Sequence, residues 1–117
     1  MALNEDFLRL ASAARARIRE VSPAEARAAV AQGAVLIDVR DADELLEKPP
    51  VAGAVNISRG RLELKISDAV PDKGTPVVLY CAGGNRGALA ADSLQQLGYR
   101  NVANVQGGLS AWPKDEQ

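Results

Sequence analysis

The sequence predicts a single α/β domain built around a mainly parallel sheet. Three observations carry this expectation. Short apolar runs, Val35-Leu36-Ile37-Asp38-Val39 and Val77-Val78-Leu79-Tyr80, alternate along the chain with helical patterns, the order of βαβ units. These runs are nearly continuous instead of alternating with polar residues, which suits strands buried on both faces. The chain has 117 residues, 47% of them hydrophobic, the size of one domain with a real core.

Residues 3 to 19 form the first expected helix. Asn4 is placed to cap it, Glu5 and Asp6 sit in its first turn, and Arg15, Arg17 and Arg19 lie toward its end, charges that complement the helix dipole. Leu3, Phe7, Leu10 or Ala11, Ala14 and Ile18 recur at helical spacing. This helix is read as packing on its own domain in preference to pairing two copies of the chain. Ser22-Pro23-Ala24-Glu25 opens a second helix, with Ser22 as cap, Pro23 at the first helical position and Glu25 closing a capping box. Gly33 ends it. The Val35–Val39 strand follows. Asp41 is placed to cap a short helix over 42–47, which Pro49-Pro50 breaks.

Ala54-Val55-Asn56-Ile57 reads as a short strand. Residues 58–66 are ambiguous, with a helical turn as one reading. Residues 71–76 form a loop punctuated by Gly74, and Val77–Tyr80 is the clearest buried strand. Residues 87–97 then form a helix with Leu89, Leu94 and Leu97 on its apolar side, stopped by Gly98. Residues 101–106 form the last strand, Gly107-Gly108 a turn, and Leu109 to Trp112 a final short helix.

Composition excludes several function classes. The 14 basic residues balance 15 acidic ones, for a net charge of −1, and no like-charge block offers a nucleic acid or a membrane surface a basic stripe. Aromatic residues make up 3%, too few for a base-stacking platform. Histidine is absent, which removes Ser-His-Asp triads, Cys-His dyads and histidine-ligated metals. A single cysteine leaves no intrachain disulfide and no cysteine-rich metal site. A lone cysteine suits a reducing compartment. No apolar run reaches membrane-spanning length, and the opening MALNEDFLRL has no signal-peptide core. Cytoplasmic placement is the expectation, with no nucleic-acid or membrane partner and no cofactor or metal.

The chemistry concentrates in Cys81-Ala82-Gly83-Gly84-Asn85-Arg86, which joins a strand end to a helix start. In parallel sheets ligands sit beyond the carboxyl ends of the strands, the position Cys81 occupies. Two adjacent glycines let the backbone curl with positive φ, turning successive N–H groups toward an anion. The helix start adds unpaired N–H groups and a positive dipole end, and Arg86 adds a cation whose fork fits oxyanions. A cysteine in such a cradle is expected to react as thiolate. A cysteine ending a strand is otherwise a small buried hydrophobe, and paired glycines otherwise mark an ordinary turn. The glycine loop, arginine and helix in register favour a nucleophile or anion site. Four residues separate Cys81 from Arg86, one fewer than in cysteine phosphatases. The tighter ring suits one terminal sulfur anion better than a phosphoryl group.

The chain resembles a single-domain rhodanese, a thiosulfate sulfurtransferase-type protein. The resemblance rests on Leu36-Ile37-Asp38-Val39-Arg40 with Glu44, on Gly53-Ala54-Val55-Asn56-Ile57, and on Val78 through Arg86. Leu97-Gly98-Tyr99 and Val105-Gln106-Gly107-Gly108-Leu109-Ser110-Ala111-Trp112 complete it. Each piece is weak alone, and the cysteine loop with the Gly-Gly ending at Trp112 is specific in combination. The resemblance implies a central, mainly parallel five-stranded sheet with helices on both faces. It divides the chain into an N-terminal helical extension, 1–20, and a rhodanese-like domain, 21–117.

It further implies that Cys81 takes the outer sulfur of thiosulfate or a related anionic donor as a persulfide and passes it to cyanide or a thiol, which a protein acceptor can supply. The N–H groups of Ala82, Gly83, Gly84, Asn85 and Arg86 then stabilise the persulfide, and Arg86 also binds the donor's oxygens. Arg59 and Arg61 carry two readings, steering of the anionic donor or a solvated basic turn. Asp38 and Arg40 match a pair that braces the loops, and Trp112 is read as core. The chain departs from relatives in two places. Pro50-Val51-Ala52-Gly53-Ala54 stands where many carry His-Ile-Pro-Gly-Ala, and Gly87 stands where many carry Ser or Ala. Gly87 weakens the helix start by about 1 kcal/mol relative to alanine and could slacken the cradle. An alternative of a different class is a persulfide carrier or sensing module that acts only with a partner protein. A phosphatase or arsenate-reductase relative is disfavoured by loop length and by the missing second thiol, and a non-catalytic binding domain by the presence of the nucleophile. Both a monomer and a homodimer are compatible with the sequence.

Overall fold

The computed structural model describes residues 4–117. In chain order the elements are α1 (Glu5–Arg15), β1 (Arg19–Val21), α2 (Pro23–Ala31), β2 (Val35–Asp38), α3 (Glu44–Glu47) and β3 (Val55–Asn56). They continue with a 3₁₀ turn (Arg59–Arg61), α4 (Leu62–Ala69), β4 (Val77–Tyr80), α5 (Asn85–Gln96), β5 (Val102–Val105), α6 (Gly108–Ala111) and a 3₁₀ turn (Lys114–Glu116). Among the described residues the five strands form one all-parallel sheet in the order β1-β5-β4-β2-β3.

Local sequence chemistry accounts for most boundaries. Asn4 accepts the Phe7 N–H at 2.7 Å and caps α1. Ser22 and Glu25 form both halves of a capping box on α2, 3.1 and 2.9 Å, with Pro23 at the first position. Gly33 (φ +107°) and Gly98 (φ +99°) take the left-handed turns that end α2 and α5, conformations L side chains rarely adopt.

The sheet is covered on both faces. Ile37, Val39, Val77 and Leu79 point into one core with Leu62 and Ile66 of α4 and Ala90, Ala91 and Leu94 of α5. Leu36, Val78 and Tyr80 point the other way, into a core with Ala26 of α2, Leu109 and Trp112. Period-two side-chain alternation fills two cores from one strand, so both strand faces must be apolar. Trp112, 2% exposed, meets the Tyr80 ring edge-on at 5.7 Å, in the core role expected for it.

The structure corrects or resolves the element reading at several points. The short helix expected over 42–47 is Glu44–Glu47, with Asp43 instead of Asp41 at its cap position and no side-chain cap bond. The expected helix over 3–19 begins outside the described residues, and its described part stops at Arg15; Arg19–Val21 instead form β1, paired with β5. The ambiguous stretch 58–66 is a 3₁₀ turn running into α4. The helix after the cysteine loop begins at Asn85, two residues early, with Gly84 as its cap. α1 lies against α5, with Ala11 and Ala14 fully buried. Arg17 fixes this segment through two hydrogen bonds to Asp92, 3.0 and 2.7 Å. No described helix is long and apolar enough to cross a membrane.

Candidate active site

Cys81 is the first residue beyond β4 and is 1% exposed. β2 and β4 lie side by side; from β2 the chain leads outward to β3 on one flank, and from β4 to β5 on the other. This reversal opens a crevice beyond the carboxyl ends of the two strands. The loops leaving β2 and β4 face each other across it.

The cysteine loop curls over its own sulfur. Gly84 donates its N–H to Cys81 Sγ at 3.0 Å and Gly87 donates at 3.3 Å. Sγ therefore sits over the first turn of the 12-residue α5, where unpaired N–H groups and the helix dipole favour negative charge. Gly84 holds φ +107°, whereas Gly83 has no positive φ and open space where a Cβ would stand. Of the two adjacent glycines, only Gly84 is needed for the curl.

The loop's carbonyls are tied away from the sulfur. Leu109 N–H donates to the Cys81 carbonyl at 2.8 Å and Ser110 N–H to the Ala82 carbonyl at 3.0 Å. This requires the chain at Gly108 to press on the back of the loop. A Cβ there would stand 2.5 Å from the Cys81 oxygen and 2.8 Å from Ala82, and Gly108 holds φ +60°. The Gly-Gly turn ahead of Trp112 thus packs directly beneath the cysteine, a role its turn-like sequence does not announce.

The expected cradle of Ala82, Gly83, Gly84, Asn85 and Arg86 is assigned to a persulfide's outer sulfur; the contacts here are to Sγ itself. Of those N–H groups, that of Gly84 reaches Sγ among the described contacts, and Gly87, outside that set, supplies the second. Gly87 does not leave slack. A Cβ on it would lie 2.1 Å from Oδ1 of the fully buried Asn104, so the asparagine amide fills that space.

Arg86 is not a free cation. Its Nη1 and Nη2 donate to the two carboxylate oxygens of Glu44 at 2.7 and 2.8 Å, across the crevice from α3. Glu44 also accepts the Asp41 N–H at 2.9 Å. These bonds, the Arg86 pair foremost, lower the Glu44 carboxyl from 4.5 to about 2. Glu44 in turn raises Arg86, so its guanidinium stays charged. Bidentate pairing fixes the plane of the fork as well as its charge. Glu44 is a residue the sequence reading left without a role. Its neighbours Asp41, Asp43 and Glu47 are equally acidic, and only the family resemblance picked it out, without a role.

A pH dependence follows. A depressed carboxyl contributes stability that is complete above its unfolded value and is lost as pH falls through the folded one. The Glu44 contribution is therefore full above about pH 5 and fades between 4.5 and about 2. Glu44→Gln is expected to cost about 1–2 kcal/mol at neutral pH, allowing for water reaching the pair. The gap should narrow toward pH 2 in urea unfolding; a constant gap would contradict the assignment.

Arg59 and Arg61 do not join the cradle. Arg59 donates to Glu63 at 2.8 Å and to Ser93 at 3.1 Å, about two turns along α5 from the cysteine loop. Arg61 lines a cleft of about 550 Å³, with Asp41, Ala42, Ser58 and Lys65 among its walls and Cys81 not among them. Asp38 and Arg40 form a buried pair, 0% and 2% exposed, joined at 2.8 Å. Register sets Asp38 beside Tyr80, whose hydroxyl donates to Asp38 at 2.8 Å and accepts the Val51 N–H at 2.9 Å. Burial, foremost, raises the Tyr80 hydroxyl and keeps it a donor. Arg40 also donates to the Lys48 carbonyl at 3.0 Å, closing the loop that carries Glu44.

Comparison with known proteins shows what the whole chain is similar to. Residues 22–115 match the family described as rhodanese-like domain. The thiosulfate sulfurtransferase PspE of Escherichia coli is 40% identical over 80 residues, covering 67% of this chain and 75% of PspE. A Rhodopseudomonas palustris protein of unknown function, described as a possible tyrosine phosphatase, superposes with a TM-score of 0.83 at 30% identity, over 96% of this chain and 92% of the other. The polysulfide-sulfur transferase homodimer of Wolinella succinogenes does so with a TM-score of 0.77 at 34% identity, over 92% and 81%.

Proposed function

The chain belongs to the rhodanese-like domain family, and from that premise we propose that it is a sulfurtransferase working through a persulfide on Cys81. One observation carries the reading: the Cys81 sulfur receives the N–H groups of Gly84 and Gly87 over the start of α5. The sulfur of that single cysteine is held as an anion is held, by backbone donors that cannot titrate.

In the first step the Cys81 thiolate attacks the outer sulfur of thiosulfate. The sulfur–sulfur bond breaks, sulfite leaves with the bonding pair, and Cys81 keeps one extra sulfur as a persulfide anion. In the second, a thiolate or cyanide attacks that outer sulfur and departs with it, restoring the thiolate. No net electrons or protons are consumed, so no cofactor is required. Gly84 and Gly87 supply fixed dipoles in both steps, and Arg86, oriented by Glu44, supplies an adjacent positive field for anionic donors. The loop of four residues between Cys81 and Arg86 disfavours the phosphatase reading.

A second reading keeps the same chemistry with a protein as donor or acceptor. Two features support it: Cys81 is 1% exposed, and Arg86 is already engaged by Glu44. Such a carrier would turn over slowly with small donors.

Intact-protein mass spectrometry tests the proposal. After incubation with thiosulfate the wild-type chain should gain one sulfur atom, and cyanide should remove it. Absence of any gain with thiosulfate, polysulfide and a protein persulfide alike would refute a persulfide role.

A further inference from the structure

We infer that Arg15 of α1, acting with Glu20 and Asn104, is a positioning residue that holds Gly84 so that its N–H stays aimed at the Cys81 sulfur. The inference rests on the sulfurtransferase reading for its function, and on independent contacts for its geometry. Both Arg15 and Glu20 lie outside the stretch 22–115 that matches the family, so the cradle is braced by a segment the matched domain does not contain.

The contacts run through four parts of the fold. Arg15 Nη2 donates to Asn85 Oδ1 at 2.7 Å, across 70 residues of sequence. Its Nε lies 3.5 Å from Glu20 Oε1. The other Glu20 oxygen accepts from Asn104 Nδ2 at 2.8 Å, and the same Nδ2 donates to the Gly84 carbonyl at 3.1 Å. Gly84 is thus bracketed, its carbonyl held by Asn104 and its successor's side chain by Arg15. Arg15 Nη2 also lies 3.4 Å from where a Gly84 Cβ would stand, so the guanidinium packs on the glycine itself.

Gly84 needs this support. Glycine passes freely among backbone conformations, and Gly84 must keep φ +107° for its N–H to face the sulfur. Without outside partners, the flexibility that permits the curl would also release it. Asn104 points to the same demand. It is fully buried with both Nδ2 contacts made, and its Oδ1 has no partner among the described residues. Buried polar atoms are ordinarily paired. Here the orphan oxygen faces Gly87, the second donor to the sulfur, so one amide abuts both cradle glycines.

The experiment uses the full chain and two variants, Arg15→Met and Asn85→Ala, which remove one contact from opposite sides. Asn85→Ala leaves α1 untouched and reports even if Arg15→Met loosens that helix. Two readouts are taken: the pH–rate profile for alkylation of Cys81 by iodoacetamide, and the rate of sulfur loading from thiosulfate. The charged groups around the cradle (Arg86 with Glu44, Asp41, Arg15 and Glu20) are otherwise unchanged. Both variants are expected to load sulfur about tenfold more slowly, the loss of one charge-assisted hydrogen bond, with the alkylation profile displaced to higher pH. Folded variants with wild-type profiles would overturn the inference. If the wild type alkylates but gains no sulfur from thiosulfate, polysulfide or a protein persulfide, the sulfurtransferase reading fails, and the alkylation profiles still decide the positioning role.

Discussion

Cys81→Ser should leave a folded protein that transfers no sulfur, a loss on the order of 10⁶ in turnover, as for removal of other covalent nucleophiles. The site explains why the fold survives. A serine hydroxyl fits the buried position and accepts the Gly84 and Gly87 N–H groups that Sγ now accepts. The chemistry cannot survive, because a neutral hydroxyl neither attacks sulfane sulfur nor carries it as a stable anion. Cys81 is the sole cysteine, so no other thiol can substitute. Mass spectrometry after thiosulfate treatment checks this beside the steady-state rate. A sulfur gain on the variant would move the nucleophile off Cys81.

Asp38→Asn is expected to destabilise the fold by roughly 3–5 kcal/mol, the cost of stranding a buried charge. Arg40 is 2% exposed and directs Nε and Nη2 at the Asp38 carboxylate, which also accepts the Arg40 N–H and the Tyr80 hydroxyl. An amide of the same shape keeps the volume and loses the charge. The loss is a large part of the roughly 5–15 kcal/mol available to a domain. Urea unfolding reads it directly. Replacing both partners with apolar residues, as in Asp38→Leu with Arg40→Met, should recover part of it, because no charge is then left buried. A wild-type midpoint for Asp38→Asn would remove the pair from the stability of the domain.

The sequence was most legible where structure depends on near neighbours. The capping box of Ser22 and Glu25 and the left-handed turns at Gly33 and Gly98 follow from contacts within a few residues, and the strands Val35–Asp38 and Val77–Tyr80 were marked by their nearly continuous apolar runs. Cys81 at a strand end ahead of a glycine turn was legible for the same reason. β1 was not. Arg19-Glu20-Val21 is three residues long with one apolar member, and it is a strand because β5 pairs with it. No periodicity can register in so short an edge.

Sequence alone thus determined the α/β class, the parallel sheet and the cysteine loop whose glycine curl aims a backbone donor at the Cys81 sulfur. Each is set by hydrophobic pattern or by the conformational freedom of single residues. Tertiary structure decided which charges serve the site. Arg86 meets Glu44 across 42 residues and Arg15 meets Asn85 across 70, while Arg59 is drawn to Glu63 and Ser93. Whether an arginine finds an anion or a carboxylate depends on which strands are neighbours. The order β1-β5-β4-β2-β3 brings the loops after β2 and β4 face to face and puts the end of α1 beside the start of α5. The Arg86–Glu44 and Arg15–Asn85 contacts form because that order brings them within reach, and no local pattern encodes them, whereas Arg59–Glu63 is a pair four residues apart.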